Sequence, residues 1–113
     1  MKNVYIATKY ENQEKAIELS NFLEKKGLNI TCKWWENDSE NILERDVQGV
    51  VDCDIFIVMG YPDLQSLAGS IFEMGIAYSH GKYILAILEE DNYHELLTEC
   101  LNEKVVLSEN KKV

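Results

Sequence analysis

The sequence predicts an α/β fold: one doubly wound parallel sheet of five strands, with helices on both faces, spanning residues 1–113 as a single domain. Three observations point there. Short apolar runs recur without alternation, as in strands buried on both faces. Stretches with helical periodicity separate them. The two patterns alternate five times, the signature of successive βαβ units. A chain of 113 residues with 46% hydrophobic residues is long enough and apolar enough for a real core.

Residues 4–8 are the first strand. Residues 11–26 follow as a helix, with Ala16, Leu19, Phe22 and Leu23 on its apolar stripe and Glu14, Lys15, Glu18, Glu24 and Lys25 on its wet face. Gly27 ends it. Residues 29–35 form a second strand rich in β-formers (Ile30, Thr31, Trp34, Trp35). The polar loop 36–40 caps a helix over 40–51, with Ile42, Leu43, Val47 and Val50 turned inward. Residues 54–59 form the clearest strand, a continuous apolar run fit for the sheet centre. Gly60-Tyr61-Pro62-Asp63 breaks it. After a helix over 69–81 come a strand over 82–88, an acidic loop at 89–92, a helix over 93–101, an edge strand over 104–107 and a frayed tail at 108–113.

A chain of this size fits the flavodoxin/Rossmann-like strand order 2-1-3-4-5. In such sheets ligands bind beyond the carboxyl ends of the strands, at the switch point between strands 1 and 3. That rule gathers the end of strand 1 (residues 7–10, beginning at Ala7), the loop that opens at Gly60, and the start of the following helix.

That helix, 69–81, organises the chain. Gly69 or Ser70 can serve as its N-cap, and Gly81 can take the left-handed C-terminal position. Glu73 is the only charged side chain between Asp63 and Lys82. Two readings stand from position alone: a solvated acid at the positive end of the helix dipole, or a functional carboxylate in apolar surroundings. Phe72, Ile76 and Ser79 share one side of the helix and Ile71, Gly75 and Tyr78 another. Both sides look packed, which favours the second reading. Asp54, at the start of its strand, is either a turn cap or a second functional carboxylate. Tyr5 is either a core tyrosine bonded to a carbonyl or a partner for a site group. Of the adjacent Trp34 and Trp35, one faces away from what the other packs on, so Trp35 could stack on a flat ring. Gly69 and Ser70 form a candidate anion or sugar-hydroxyl site.

The run Gly69-Ser70-Ile71-Phe72-Glu73-Met74-Gly75-Ile76-Ala77, followed by Gly81-Lys82 and an apolar strand, resembles the signature of the nucleoside 2-deoxyribosyltransferase family. Val4-Tyr5-Ile6-Ala7 and Cys53-Asp54-Ile55 extend the resemblance. The family includes deoxyribosyltransferases and related hydrolases of nucleoside monophosphates. The resemblance implies cleavage or transfer at the N-glycosidic bond of a nucleoside or its 5′-monophosphate. Glu73 would be the nucleophile that forms a glycosyl-enzyme intermediate, Tyr5 would orient it, and Asp54 would position the nucleoside or protonate its base. Six residues before the glutamate, where the transferases hold deoxyribose with an aspartate and the monophosphate hydrolases contact phosphate with a serine, this chain has Leu67; Ser66 stands beside it as the nearest candidate. The resemblance also implies a homodimer or larger assembly and no cofactor. Two further classes stay open: a nucleotide-binding or sensor module without turnover, and a glycohydrolase of nicotinamide dinucleotide.

Composition excludes other classes. A net charge of -9 argues against broad binding to nucleic acid or anionic membranes. No run is apolar enough for a signal peptide or a bilayer span. Cys32, Cys53 and Cys100 are scattered and His80 and His94 lack metal-ligand spacing, so reduced thiols in a cytoplasmic protein and no metal are expected.

Overall fold

The computed structural model describes residues 2–36, 40–91 and 93–110. Five parallel strands lie in the order β2-β1-β3-β4-β5, as the sequence predicts. They are β1 (Asn3–Ala7), β2 (Asn29–Ile30), β3 (Ile55–Gly60), β4 (Tyr83–Leu88) and β5 (Glu103–Val106). Between them run α1 (Gln13–Lys25), α2 (Ile42–Asp52), α3 (Ala68–Ser79) and α4 (Glu95–Glu99), and a short α5 (Leu107–Asn110) follows β5.

Alternation along the strands splits the core in two. Val4, Ile6, Ile57 and Met59 face α1 and pack with Ala16, Leu19 and Leu23. Tyr5, Ala7, Phe56, Val58, Ile84 and Ala86 face the other way and pack with Val50 of α2 and Met74 and Ala77 of α3. The Tyr5 and Phe56 rings, on paired positions of β1 and β3, stack with centroids 5.7 Å apart and 4° between planes. No described helix is long and apolar enough to cross a membrane.

The departures from expectation have local causes. The second strand is two residues long, not seven. After Ile30 the Thr31 hydroxyl donates to the Gly49 carbonyl of α2 at 2.7 Å, and the chain then turns through a 3₁₀ turn at Trp34–Glu36. The Trp34 indole N–H donates to the Ile6 carbonyl at 2.7 Å, so the tryptophans leave the sheet and cover the end of β1. A 3₁₀ turn, Tyr10–Asn12, precedes α1, whose Phe22 is 56% exposed beneath the Lys26 ammonium rather than on the buried stripe. In α2, Val50 and Gly49 are buried, whereas Ile42 and Leu43 are exposed. Of loop 36–40, residues 37–39 lie outside the described residues, as do Asn92 of the acidic loop and the tail end 111–113; Leu107 belongs to α5 rather than to the edge strand, and residues 108–110 are helical rather than frayed.

Gly27 and Gly81 take left-handed φ values of 88° and 69°, so each ends its helix as predicted. Gly49 has a different task. A Cβ there would lie 2.8 Å from Cys32 Cβ and 3.1 Å from the Tyr5 ring, so its missing side chain lets α2 settle directly over β1. Gly49→Ala should therefore destabilise the fold by about 1–3 kcal/mol through overpacking; urea unfolding of the two proteins measures it.

Candidate active site

A crevice of about 400 Å³ opens where β1 and β3 diverge at their carboxyl ends, the switch point of the sheet. Its walls come from the end of β1 (Tyr5, Thr8, Lys9, Tyr10), from Trp34, from α2 (Ile42, Arg45, Asp46) and from the loop and first turns of α3 (Ser66 to Ser70, and Glu73). Its volume is in the range of small-molecule sites.

Two side chains from distant parts of the chain meet at its base. The Tyr5 hydroxyl donates to Glu73 Oε2 at 2.8 Å. Tyr5 is 1% exposed, clamped between Phe56 and α2. Burial, and then the Glu73 charge, push its phenol well above the ordinary value, so it remains a donor. Burial pushes Glu73 up to about 7; the Tyr5 hydrogen bond pulls it back down, and the Asp46 charge adds to the rise.

Asp46 is the second carboxylate of the crevice. Arg45 grips it through Nε at 3.1 Å and Nη2 at 3.0 Å, both on Oδ1. The Cys32 thiol donates to the same oxygen at 3.6 Å. Burial, and then the Asp46 charge beside it, push that thiol up to about 11, which keeps the S–H in place as a donor.

The loop that leads into α3 turns at Asp63, which accepts from the Ser66 amide at 2.9 Å through its side chain and from the Ser66 hydroxyl at 2.9 Å through its carbonyl. Neither Ser70 nor Gly69 caps α3. The N-cap is Leu67, whose side chain is buried in the core and makes no cap bond. The first amides of α3, at Ala68, Gly69 and Ser70, thus start the helix at the wall of the crevice without a capping bond from the Leu67 side chain. On the other wall, Thr8 Oγ1 donates to the Met59 carbonyl at 2.7 Å, and Asn12 Nδ2 to the Tyr61 carbonyl at 2.8 Å.

The predicted residues thus divide. Tyr5, Glu73, Ser66, Gly69 and Ser70 converge on the crevice. Asp54 does not. It lies at the opposite end of β3, where Oδ2 accepts from the Asn3 amide at 2.8 Å. Roughly 20 Å of strand separates the two ends, and Asp54 ties the amino-terminal ends of β1 and β3 together. Trp35 packs edge-to-face on Trp34, 5.2 Å between centroids, and it is Trp34 that faces the crevice. Ala7 is buried in the sheet core, and Gly60 lies under Leu88 and Leu64; both support the floor without lining it. Arg45 and Asp46 were missed because Glu44-Arg45-Asp46 has the look of a solvated helix face. The available signal was Gly49, one turn on from Asp46 and on the same side of α2.

No protein-family model and no curated protein sequence matches the chain. Solved structures do. A CMP N-glycosidase of Clostridium botulinum, BcmB, superimposes with a TM-score of 0.70 at 26% identity, over 93% of this chain and 88% of that one. The chain shares the fold of the family its sequence resembles. A 2-deoxyribosyltransferase from Bacillus psychrosaccharolyticus matches with a TM-score of 0.69 at 16% identity, over 98% of this chain and 91% of that one. A 2-deoxyribosyltransferase from Leishmania mexicana matches at 0.63 and 20%, over 80% and 66% respectively. These last two bear on the fold.

The raised Glu73 makes a stability prediction. Its folded value, about 7, lies above the unfolded carboxylate value, so the native state favours the protonated acid. The stability this gives is full below about pH 4.3 and lost as pH rises through about 7. Glu73→Gln, neutral throughout, should match the wild type at pH 4 and exceed it by about 1–3 kcal/mol at pH 8; urea unfolding across pH reads the difference.

Proposed function

We propose that this protein is an enzyme that hydrolyses the N-glycosidic bond of a nucleoside 5′-monophosphate, with Glu73 as nucleophile. The observation that carries the reading is the hydrogen bond from Tyr5 to Glu73 inside the switch-point crevice. The likeness to a CMP N-glycosidase over nearly the whole chain supports the same bond as the target.

Each wall suits one part of such a substrate. The uncapped start of α3, with Ser66 and the Lys9 ammonium across the crevice, suits a phosphate. Leu67 is buried at the N-cap, so the exposed Ser66, one residue earlier, is the polar group its turn offers to the ligand. Trp34 and Tyr10 supply rings for the flat base. Asp46 takes the place foreseen for Asp54, beside the base.

The chemistry runs in two steps. The Glu73 carboxylate attacks the anomeric carbon as the C–N bond breaks, and the base leaves with the bonding pair and takes up a proton from solvent water. Oxocarbenium character on the sugar is stabilised by the facing carboxylate, and Asp46 accepts an N–H of the departing base. Water then attacks the same carbon and gives up its proton to solvent. The glycosyl ester breaks, Glu73 is freed, and the sugar phosphate leaves with retained configuration. Tyr5 holds the glutamate on its line of attack and keeps part of it ionised near neutrality.

The protein acts as a homodimer through α3. The outward face of that helix carries Ala68, Gly69, Phe72, Gly75, Ile76, Tyr78 and Ser79 without a charge, in a chain that is 27% charged. Phe72 and Tyr78 are 56% and 59% exposed, so of the two sides expected to pack, these rings are left uncovered by the chain itself. Small residues beside exposed rings suit the close approach of a second copy.

Incubation with deoxy- and ribonucleosides and their 5′-monophosphates, read by chromatography, tests the reaction. Free base and sugar phosphate are expected, with loss of release by at least about 1,000-fold in Glu73→Gln and about 10- to 100-fold in Tyr5→Phe. Because the rate follows ionised Glu73, kcat/KM should rise with pH up to about 7 and then level. A new nucleotide formed only with an added base would make the protein a transferase; ligand binding without release would make it a sensor. Phe72→Glu should shift the protein from dimer to monomer in sedimentation; an unchanged monomeric wild type would refute the assembly.

A further inference from the structure

We infer that Arg45 is a positioning residue of the crevice: its guanidinium fixes the orientation of Asp46 and supplies the counter-charge to the two carboxylates, Asp46 and Glu73, that share one confined space. The kinetic part of this inference rests on the glycosidase reading; the electrostatic part does not.

The geometry is specific. Arg45 and Asp46 are adjacent on α2, so their side chains leave the helix about 100° apart. They nevertheless converge, and the Nε and Nη2 contacts of the guanidinium both end on Asp46 Oδ1. The Cys32 thiol, arriving from the segment after β2, ends on that oxygen too. One carboxylate oxygen is thus loaded three times, and Oδ2 is the oxygen that the three donors leave to a ligand. Three donors on one oxygen restrict how that carboxylate can turn. The pair is no surface ion pair of small effect. Its side chains are 25% and 19% exposed, and both line the crevice that Tyr5 and Glu73 enter from β1 and α3.

The groups facing Asp46 are Arg45 on its own helix, Cys32, Tyr5 and Glu73. The phenol and the thiol are both held protonated, so the balance lies between two carboxylates and one guanidinium. Lys9, the other cation of the lining, stands 3.7 Å from Glu11. Without Arg45, two like charges would share the crevice, and one would take up a proton. Glu73, already raised by burial and by Asp46, is the one that would yield.

Titration of the Glu73 side-chain carboxyl by carbon NMR, in ligand-free protein, tests the electrostatic part without any substrate. Arg45→Met should move the Glu73 midpoint upward by about one unit, and Arg45→Lys should leave it near the wild-type value, since an ammonium keeps the charge. Asp46→Asn in the Arg45→Met background should bring it back down. Base release at pH 6 should fall about tenfold in Arg45→Met, and should fall in Arg45→Lys as well, because a lysine cannot make the fork. Far-ultraviolet circular dichroism confirms that each variant is folded, and Arg45→Gln, also neutral, takes the place of Arg45→Met in every comparison if Arg45→Met is not. An unmoved Glu73 midpoint in folded Arg45→Met, or an Arg45→Lys midpoint displaced as far as that of Arg45→Met, would overturn the inference. A wild type that releases no base would refute the glycosidase reading alone, and the titration would still decide the role of Arg45.

Discussion

A carboxylate set against a buried phenol is the constraint around which this molecule is built. Glu73 reaches Tyr5 only if α3 crosses the sheet at one height, and Tyr5 offers its hydroxyl only if its ring is held upright. Phe56 holds one side of that ring and Gly49 admits it on the other. The strand pair, the bare position in α2 and the entry into α3 are therefore one arrangement. Losing any of them would leave an acid in apolar surroundings without its donor, which is costly.

Much of this was legible in the sequence. Continuous apolar runs marked the strands, and their alternation with helices marked the order, because a parallel sheet must be buried on both faces. The lone Glu73 stood out because nothing around it is charged. A carboxylate at the head of an apolar strand, such as Asp54, carries the same local pattern whether it faces a ligand or ties two strands together; here it bonds the Asn3 amide, at the end of the sheet away from the crevice. Asp46 was hidden for the opposite reason. Among the charges of an amphipathic helix it looked like solvent-facing surface, and only the seating of α2 over Tyr5 turns it inward. The short second strand was illegible too, since Trp34 and Trp35 have strong strand preference and leave the sheet for an indole bond to Ile6 that lies far away in the chain.

The two cores have unequal duties. The α1 side of the sheet packs Val4, Ile6, Ile57 and Met59, none of which lines the crevice. The α2 and α3 side carries both carboxylates, the guanidinium and the phenol. Substitutions on the first side act through stability, whereas those on the second also move charges relative to one another. Glu73, raised by its own burial, shows the tension directly: the neutral acid suits the fold and the anion suits the chemistry.

The floor of the crevice has a consequence for what can lie on it. Parallel strands present carbonyl oxygens at their carboxyl ends, a rim of partial negative charge that would repel an anion. Here three of those oxygens are already engaged: Ile6 by the Trp34 indole, Met59 by the Thr8 hydroxyl and Tyr61 by the Asn12 amide. Neutral donors thus mute the rim without adding a cation. In a protein carrying a net charge of -9, they lessen the share of the carbonyl rim in the negative potential at that spot, through dipoles that stand beside the Lys9 ammonium and the Arg45 guanidinium of the same crevice.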